Sequence, residues 1–317
     1  MSDVVAAPHR VLVVGDLNPD LILTGDVVPK FGQVEQLLDQ ATLTIGGSAA
    51  ITAHGLARLG RPVSIVAAIG RDVFGDRLLG DLSGAGVDVG PVLRRDDVPT
   101  GLTVVLSASE DRAILTLPGA IPTVTAAEVR SAVRAACGRG VAHLHVASLF
   151  LQPALATELP ELLAEARAAG LTTSLDTNDD PHGQWLGVDA LLPHLDVFLP
   201  NRAEVLAIGR DGDPRRAAAT LASRGPLVVV KDGADGAFAT TLDGDVVHVR
   251  GARRQPVDTA GAGDTFDAAF LDGWLDGLGL QECLQRATTA GAFAVAALGG
   301  TAGQPTRKDL LDQGKAT

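Results

Sequence analysis

The chain has 317 residues, 46% of them hydrophobic, which is enough to bury the core of one large domain or of two domains. Its 26 basic residues are outnumbered by 38 acidic ones, and the net charge of -12 argues against nonspecific binding to nucleic acid or to anionic membranes. The two cysteines, Cys137 and Cys283, are too few and too far apart for a disulfide scaffold or a cysteine-rich metal site.

The N-terminal region has no recognisable export signal. Residues 1–10 lack a long apolar stretch, and the apolar run that follows is interrupted by Gly15 and Asp16. No segment approaches the ~20 consecutive apolar residues of a membrane-spanning helix. We therefore expect a cytoplasmic protein without a membrane partner.

The first predicted strand, Val11–Val14, ends in a polar segment. In an α/β sheet, the carboxyl end of a buried strand commonly opens into a loop that carries ligand-binding groups. Asp16, Asn18 and Asp20 are therefore candidates to bind the hydroxyl groups of a small polyol. The alternative is a turn in which these side chains bond only to the neighbouring backbone.

Two adjacent glycines, Gly46 and Gly47, precede a helix predicted from about Ala49 to Leu59. Glycines in this position let a ligand approach the backbone closely. A predicted strand over 64–70 and a helix ending near Gly84 follow, so the chain begins with alternating strands and helices.

This alternation is interrupted by two strand-like segments, Thr103–Ser109 and Arg112–Leu117, joined by the polar turn Glu110-Asp111. The pattern predicts an antiparallel hairpin, which is out of place in a doubly wound sheet. We expect residues of about 17–44 and 91–119 to form a small lid over the strand ends of the main domain.

The alternation of strands and helices then resumes, which predicts a mostly parallel sheet with covering helices. The predicted elements are helices over 126–136 and 153–169 and strands over 141–147, 171–176 and 196–200. His143 and His145 lie on one of these strands, where a histidine is usually a hydrogen-bonded structural residue. We assign them no chemistry.

Polar residues also follow two later strands. Asn201 and Glu204 are three residues apart on a predicted first helical turn, so their oxygens can face one hydrated Mg²⁺ ion. The alternative is a helix-capping pair. The loop from Lys231 to Gly236 follows the strongly apolar run Leu227–Val230 and could receive nucleotide phosphates, whose charge Lys231 would neutralise.

The segment Val257–Phe270 carries the most explicit chemistry. The small residues Gly261, Ala262 and Gly263 precede a helix with a strongly apolar face, so backbone N–H groups and the helix dipole can hold a phosphate there. Asp264 follows directly and can accept a proton from an attacking hydroxyl group. The combination predicts phosphoryl transfer to an alcohol; the alternative is a helix cap whose glycines allow close packing.

Two segments resemble the signature regions of the PfkB, or ribokinase-like, carbohydrate kinases: GGSAAITAHGLARLG with IGRDVFGD, and DTAGAGDTFDAAF. The resemblance extends over essentially the whole chain. It implies one kinase domain over residues 1–317 with an α/β fold, a three-layer α/β/α domain with a mostly parallel doubly wound sheet and a small antiparallel β lid. It also implies that a sugar hydroxyl attacks the γ-phosphate of ATP in line.

The resemblance further implies roles for single residues. Asp264 is the expected base, and Gly261, Ala262 and Gly263 form the expected anion hole. The residues expected at the nucleotide are Asn201, Glu204, Lys231, Gly233 and Gly236, with Glu204 acting on Mg²⁺ through water. The residues expected to face the acceptor are Asp16, Asn18, Asp20, Gly46 and Gly47. Asp258 resembles a residue that helps to hold a monovalent cation such as K⁺.

One position on the acceptor side departs from the family pattern. Ile51, five residues after Gly46, stands where these kinases commonly have an Asn that contacts the sugar. The missing hydrogen bond changes which hydroxylated acceptor fits. We expect an ATP-dependent kinase of a small sugar or sugar acid; the alternatives are a nucleoside kinase and a noncatalytic sugar or nucleotide sensor. A homodimer formed through the exposed edge of the lid is also expected.

Overall fold

A computed structural model describes residues 9–108, 112–252 and 254–313. The strands in these residues, β1 to β14, span Arg10–Val14, Asn18–Gly25, Leu38–Gly46, Val63–Val66, Ala68–Gly70, Leu93–Arg95, Leu102–Ser107, Arg112–Leu117, Val141–Ala147, Thr172–Asp176, Val197–Phe198, Leu227–Lys231, Ala237–Thr240 and Val246–Val249. The α-helices, α1 to α11, span Ser48–Arg58, Val73–Gly84, Ala126–Cys137, Pro153–Ala156, Leu159–Ala168, Val188–Leu191, Arg202–Gly209, Pro214–Ala222, Ala262–Leu275, Leu280–Ala294 and Arg307–Gln313. None of the helices in the described ranges is both long enough and apolar enough to cross a bilayer.

The central sheet has eight strands in the order β14-β13-β12-β11-β10-β9-β1-β4. The pairs between β4 and β12 are parallel, and the last two pairs, β12 with β13 and β13 with β14, are antiparallel. Side chains alternate across the sheet, so that Leu12 and Val14 enter one core while Val11 and Val13 enter another. The sheet is therefore buried on both faces.

Helices cover both faces of the central sheet. Helices α3, α5 and α8 supply apolar side chains to the core that contains Leu12. Helices α1 and α2 cover the face of Val11, and α9 and α10 continue that layer over Val229 of β12. The predicted three-layer α/β/α fold with a mostly parallel sheet is confirmed.

A second sheet has four strands in the order β3-β2-β7-β8 and contains the segments predicted to form a lid; it is called the lid sheet, or lid, from here on. Two antiparallel pairs, β2 with β3 and β7 with β8, are joined by the parallel pair β2 with β7. The strand β3 has no counterpart among the predicted elements, because its first half is exposed and lacks an apolar period. β6 lies within the predicted lid range of 91–119 but pairs with β5. The predicted turn Glu110-Asp111 lies outside the described residues.

Two elements predicted as continuous are divided in the structure. The strand predicted over 64–70 is two strands, because β4 pairs with β1 of the central sheet whereas β5 turns away to pair with β6. The helix predicted over 153–169 is α4 followed by α5. Pro160 lies in the first turn of α5 and cannot donate the backbone hydrogen bond that would continue α4.

A buried ion-pair network ties the C-terminal helix to the main domain. Arg61 is almost fully buried and donates to the carboxylate of Asp272 at 2.7 Å and to its carbonyl oxygen at 2.8 Å. Arg307 of α11 donates to both carboxylate oxygens of Asp272, at 2.7 and 2.9 Å. Asp276 accepts hydrogen bonds from the same two arginines. Since Asp272 lies on α9, this network holds the far end of the helix that begins at the predicted anion turn.

Candidate active site

The polar residues that follow the parallel strands converge at one edge of the central sheet, as expected for strands whose carboxyl ends coincide. Asp16 follows β1, Asp176 ends β10 and Lys231 ends β12. Helix α9 begins at the same edge, because Lys231 contacts Asp267 in its second turn. The sheet edge therefore brings together residues that lie up to 251 positions apart in the chain.

The predicted anion turn has the backbone geometry that an anion site requires. Gly261 has φ 68°, in the left-handed region that favours glycine, and α9 begins at Ala262 without a side-chain cap from any described residue. A Cβ atom on Gly261 would lie 2.5 Å from the Cα atom of Gly300. The uncapped first turn of α9 thus presents backbone N–H groups and the positive end of the helix dipole to a ligand.

Asp264 is buried in the first turn of α9 and carries the predicted catalytic carboxylate. It accepts a short hydrogen bond from the hydroxyl group of Ser48, the first residue of α1. Burial, reinforced by the nearby charge of Asp176, raises the pKa of Asp264 to about 7. A carboxylate with this pKa is suited to accept a proton near neutral pH.

Lys231 is held by two carboxylates. Its Nζ atom lies 2.6 Å from an oxygen of Asp176 and 3.1 Å from an oxygen of Asp267, both of them fully buried side chains. Burial alone would lower the pKa of Lys231, but Asp176 and Asp267 outweigh it, so the pKa is raised above its ordinary value. Lys231 is therefore a fixed ammonium group at the sheet edge.

Neither Asp176 nor Asp267 was predicted as a site residue. Asp176 lies in a polar segment at a strand end, which is a usable signal. Asp267 lies three residues after Asp264 and so on the same side of α9, but the contact with Lys231 depends on the fold.

A cleft of about 570 Å³ adjoins the anion turn, a volume typical of sites for small molecules and cofactors. The predicted residues that line it are Lys231, Gly233, Gly236, Ala262 and Gly263. The cleft is also lined by Ala234 of the predicted nucleotide loop and by residues outside the predicted site set, namely Gly251, Ala252, Arg254, Pro256, Thr259, Phe266, Thr288, Gly291, Ala292 and Val295. The structure thus joins the predicted nucleotide loop and the predicted anion turn in one cavity. Asn201, Glu204, Gly261 and Asp264 are not among the described residues that line it.

One wall of this cleft is apolar and partly cationic. The guanidinium carbon of Arg254 lies 3.8 Å from the centre of the Phe293 ring, a cation–π contact that fixes the arginine beside the cleft. Gly291 of α10 and Val295 at the end of this helix are small residues, so they present a slim surface to the cleft. The small residues of α10 indicate such a surface in the sequence, whereas a single arginine in an irregular loop gives no pattern to detect.

Asn201 and Glu204 form a capping box at the start of α7. The Asn201 side chain accepts from the backbone N–H of Glu204 at 3.0 Å, and Glu204 accepts from the backbone N–H of Asn201 at 2.8 Å. The alternative prediction, that Asn201 and Glu204 form a helix-capping pair, is therefore confirmed. Burial and the charge of Asp176 raise the pKa of Glu204 to about 7. The carboxylates of Glu204 and Asp176 are hard oxygen donors of the kind that suits Mg²⁺, so the residues present fit that ion.

The residues predicted to face the acceptor lie together between β1, the lid and α1. The two carboxylate oxygens of Asp16 accept from the backbone N–H groups of Ser48 and Ala49, each at 3.0 Å. Asn18 donates to Asp20 and to Thr103 of the lid strand β7, each at 3.0 Å. Burial and the charge of Asp16 raise the pKa of Asp20 to about 7.

Gly46 and Gly47 explain how these side chains come so close to the backbone. A Cβ atom on Gly46 would overlap the carboxylate of Asp20. A Cβ atom on Gly47 would lie 2.8 Å from the carbonyl oxygen of Asp16, and its φ of 86° is again one that favours glycine. The two glycines are therefore required by the packing of the acceptor-side carboxylates.

Ile51 is buried on α1 with its side chain against the backbone of Gly300, the residue that also crowds Gly261. It thus helps to pack the segment that supports the anion turn. Its position beside the acceptor stays a prediction.

Asp258 is bonded to N–H donors. Its carboxylate accepts from the backbone N–H groups of Ala260 and Gly299, each at 2.9 Å, and lies 3.4 Å from the guanidinium of Arg112 in the lid. Each carboxylate oxygen keeps a lone pair beyond these backbone bonds, and the role of Asp258 at a monovalent cation stays a prediction.

Comparison with known proteins identifies the relatives of this chain. The model of a family described as pfkB family carbohydrate kinase matches residues 8–307. A 2-dehydro-3-deoxygluconokinase of Bacillus subtilis is 32% identical over 283 residues, which cover 84% of this chain and 85% of the relative.

Solved structures share the fold over nearly the whole chain. The ribokinase of Arabidopsis thaliana, in complex with ribose and ATP, has a TM-score of 0.83 and 25% identity, covering 96% of this chain and 98% of the other. A candidate ribokinase II from E. coli, in complex with ATP and Mg²⁺, has a TM-score of 0.85 and 23% identity, covering 98% and 100%.

Proposed function

The chain belongs to the pfkB family of carbohydrate kinases, and we propose that it transfers the γ-phosphate of ATP to a hydroxyl group of a small sugar or sugar acid. The observation that carries this proposal is the position of Asp264. This buried carboxylate directly follows Ala262 and Gly263, which line the cleft, and it is linked through Ser48 to Asp16 on the predicted acceptor side.

The nucleotide occupies the cleft. Its phosphates lie towards Lys231 and the glycines of the loop from Gly233 to Gly236, and its base lies against the slim surface that includes Gly291. ATP in the related Arabidopsis ribokinase supports this choice of nucleotide. The acceptor lies on the far side of Asp264, where Asp16, Asn18 and Asp20 offer polar groups.

In the reaction, the acceptor oxygen forms a bond to the γ-phosphorus as the bond from that phosphorus to the bridging oxygen of ADP breaks. The hydroxyl proton passes to the carboxylate of Asp264. Backbone N–H groups at Gly261, Ala262 and Gly263 stabilise the charge on the transferring group. Mg²⁺, when bound, neutralises phosphate charge; Glu204, acting through water, and the nearby Asp176 would hold it.

The acceptor is identified by a coupled assay of ADP release over a panel of sugars, sugar acids and nucleosides. We expect ribose, 2-dehydro-3-deoxygluconate or another small sugar or sugar acid to stimulate release, as the names of the relatives suggest. Stimulation only by adenosine, inosine or cytidine would support the nucleoside alternative, which is favoured by the apolar Ile51. No stimulation by any acceptor would support the noncatalytic sensor and overturn the proposal.

The rate should depend on pH through the carboxyl group of Asp264. Only its ionised form accepts a proton, and its pKa is about 7. Below that pH, kcat/KM for the acceptor should therefore fall about tenfold for each pH unit. A pH–rate profile at saturating ATP measures this directly. A constant kcat/KM between about pH 5.5 and about pH 8 would contradict the assignment of Asp264 as the base.

The lid offers a surface for a second copy of the chain. Strand β8 is an edge of the lid sheet and is exposed along its length, including Ile114, Leu115 and Leu117. Apolar edge strands of this kind favour pairing with another chain. We expect a homodimer in sedimentation analysis, and conversion to a monomer when Leu115 is replaced by Lys. A wild-type monomer at concentrations well above those of the assay would contradict the dimer.

A further inference from the structure

The ammonium group of Lys231 lies directly beside the anion turn. A Cβ atom built on Gly263 would lie 3.6 Å from the Nζ atom of Lys231 and 3.7 Å from its Cδ atom. Gly263 is one of the residues whose backbone N–H groups are expected to bind the transferring phosphoryl group. Lys231 therefore places a full positive charge next to a site that otherwise relies on partial charges.

Two buried carboxyl groups determine where this ammonium group lies. Asp176 ends β10 and Asp267 lies on α9, so the two partners of Lys231 come from different layers of the fold. Oxygens of Asp176, Asp264 and Asp267 all lie within 4.8 Å of one another. The Oδ1 atom of Asp267 is buried and has no hydrogen-bond partner among the described residues. A cluster of this kind is costly to bury unless its charge is compensated.

We propose that Lys231 is part of the anion hole and contacts the transferring phosphoryl group, and that Asp267, together with Asp176, is a positioning residue that holds Lys231 beside Gly263. This inference rests on the proposed kinase function. It assigns to Asp267 a role in the reaction that does not involve contact with either substrate.

The flexibility of lysine explains why such positioning matters. Its side chain has four carbons and many rotamers, and a cleft of about 570 Å³ lies open in front of it. Without Asp267, the ammonium group would keep the contact with Asp176 but lose the one that draws it towards α9. In a site from which water is excluded, a displacement of about 1 Å is enough to weaken stabilisation of the transition state severely.

Asp267→Asn keeps the size of the side chain and an amide oxygen that can accept from the ammonium group of Lys231, the contact that Asp267 makes at 3.1 Å. Asp267→Ala removes that acceptor. Comparison of the two variants therefore tests whether the contact with Asp267 holds Lys231 in place.

The inference is tested by calorimetric binding of Mg·ADP with and without fluoroaluminate, a planar anion that occupies the place of the transferring group and needs no acceptor. We expect fluoroaluminate to tighten the binding of Mg·ADP to the wild type. In Lys231→Met this tightening, measured against the same variant's affinity for Mg·ADP alone, should fall by about 100-fold. The exposed Lys308→Met is the matched control and should behave like the wild type.

In Asp267→Ala, the tightening of Mg·ADP binding by fluoroaluminate should be about tenfold smaller than in the wild type. In Asp267→Asn, this tightening should stay within about threefold of the wild-type value. If Asp267 had only a structural role, the melting temperature of Asp267→Ala and its affinity for Mg·ADP would fall together, and fluoroaluminate would tighten binding as much as in the wild type. This result would overturn the inference. Equal tightening in Lys231→Met and the wild type, or no tightening in the wild type, would also overturn it. Failure of the kinase proposal has a separate sign, namely a wild type that binds Mg·ADP and fluoroaluminate yet transfers phosphate to no acceptor.

Discussion

Replacing Asp264 by Asn should reduce kcat by about 10³-fold, because the amide cannot accept the proton of the attacking hydroxyl group. The substitution preserves the size of a buried side chain and leaves an oxygen that can accept from Ser48. KM for ATP should therefore change little. The measurement is kcat and KM for the acceptor found in the panel, and an Asp264→Asn enzyme within about threefold of wild-type kcat would exclude Asp264 as the base.

The same substitution should raise stability at high pH, which distinguishes loss of the base from loss of the fold. The folded-state pKa of Asp264 is raised from 3.8 to about 7, so its favourable contribution is complete below pH 3.8 and is lost as the pH rises through about 7. Asp264→Asn avoids that loss. Its melting temperature should exceed that of the wild type at about pH 8 but not at about pH 4. The exposed Asp243→Asn, which should change neither activity nor stability, is the control.

Replacing Asp272 by Ala should destabilise the protein by about 3 kcal/mol, the second large effect that we expect. Arg61 is almost fully buried, and loss of Asp272 removes the buried one of its two carboxylate partners, at 2.7 Å, so that only the partly exposed Asp276 is left to compensate its charge. Arg307 loses its bidentate partner in the same change. The free energy of unfolding is measured by urea denaturation.

The matched control for Asp272→Ala is an ion pair at the surface. Arg77 and Asp81 are one helical turn apart on α2 and largely exposed, so Asp81→Ala should cost about 0–1 kcal/mol. If Asp272→Ala costs no more than Asp81→Ala, the buried network does not hold α9 as described.

The layers of the fold could be predicted from the sequence because they depend on local hydrophobic patterns. The continuous apolar run Val11–Val14, typical of a strand buried on both faces, and the apolar face of α9 can be recognised in the sequence. Strand β3 could not be predicted in this way. It is largely exposed and is defined by hydrogen bonds to β2, so its own residues lack the apolar period that identifies a strand.

For the same reason, some parts of the candidate site could be predicted from the sequence and others could not. The anion turn and Asp264 are adjacent in the chain and follow from the residue types at a helix start. The contact of Lys231 with Asp176 and Asp267 joins positions up to 55 residues apart, and only the fold creates it. The close approach of Gly300 to Gly261 is likewise invisible in the sequence, although it explains why the turn needs a glycine there.

The choice of acceptor depends on residues that lie away from the anion turn. Asn18, Asp20 and Thr103 form a polar group on the neighbouring strands β2 and β7, on the side predicted to face the acceptor. Ile51 supplies apolar packing against Gly300 and offers no hydrogen bond to a ligand. We therefore expect specificity to change more readily by substitutions in β2 and β7 than by substitutions at the anion turn.

The central claim is tested most directly by following the γ-phosphate itself. Wild-type protein is incubated with Mg²⁺, ATP labelled in its γ-phosphate and each acceptor of the panel, and the products are separated by chromatography. Our account predicts that label appears on one small sugar or sugar acid in the same amount as ADP is formed, and that Asp264→Asn forms almost none. Label found only in inorganic phosphate, or retained in ATP with every acceptor, would contradict it.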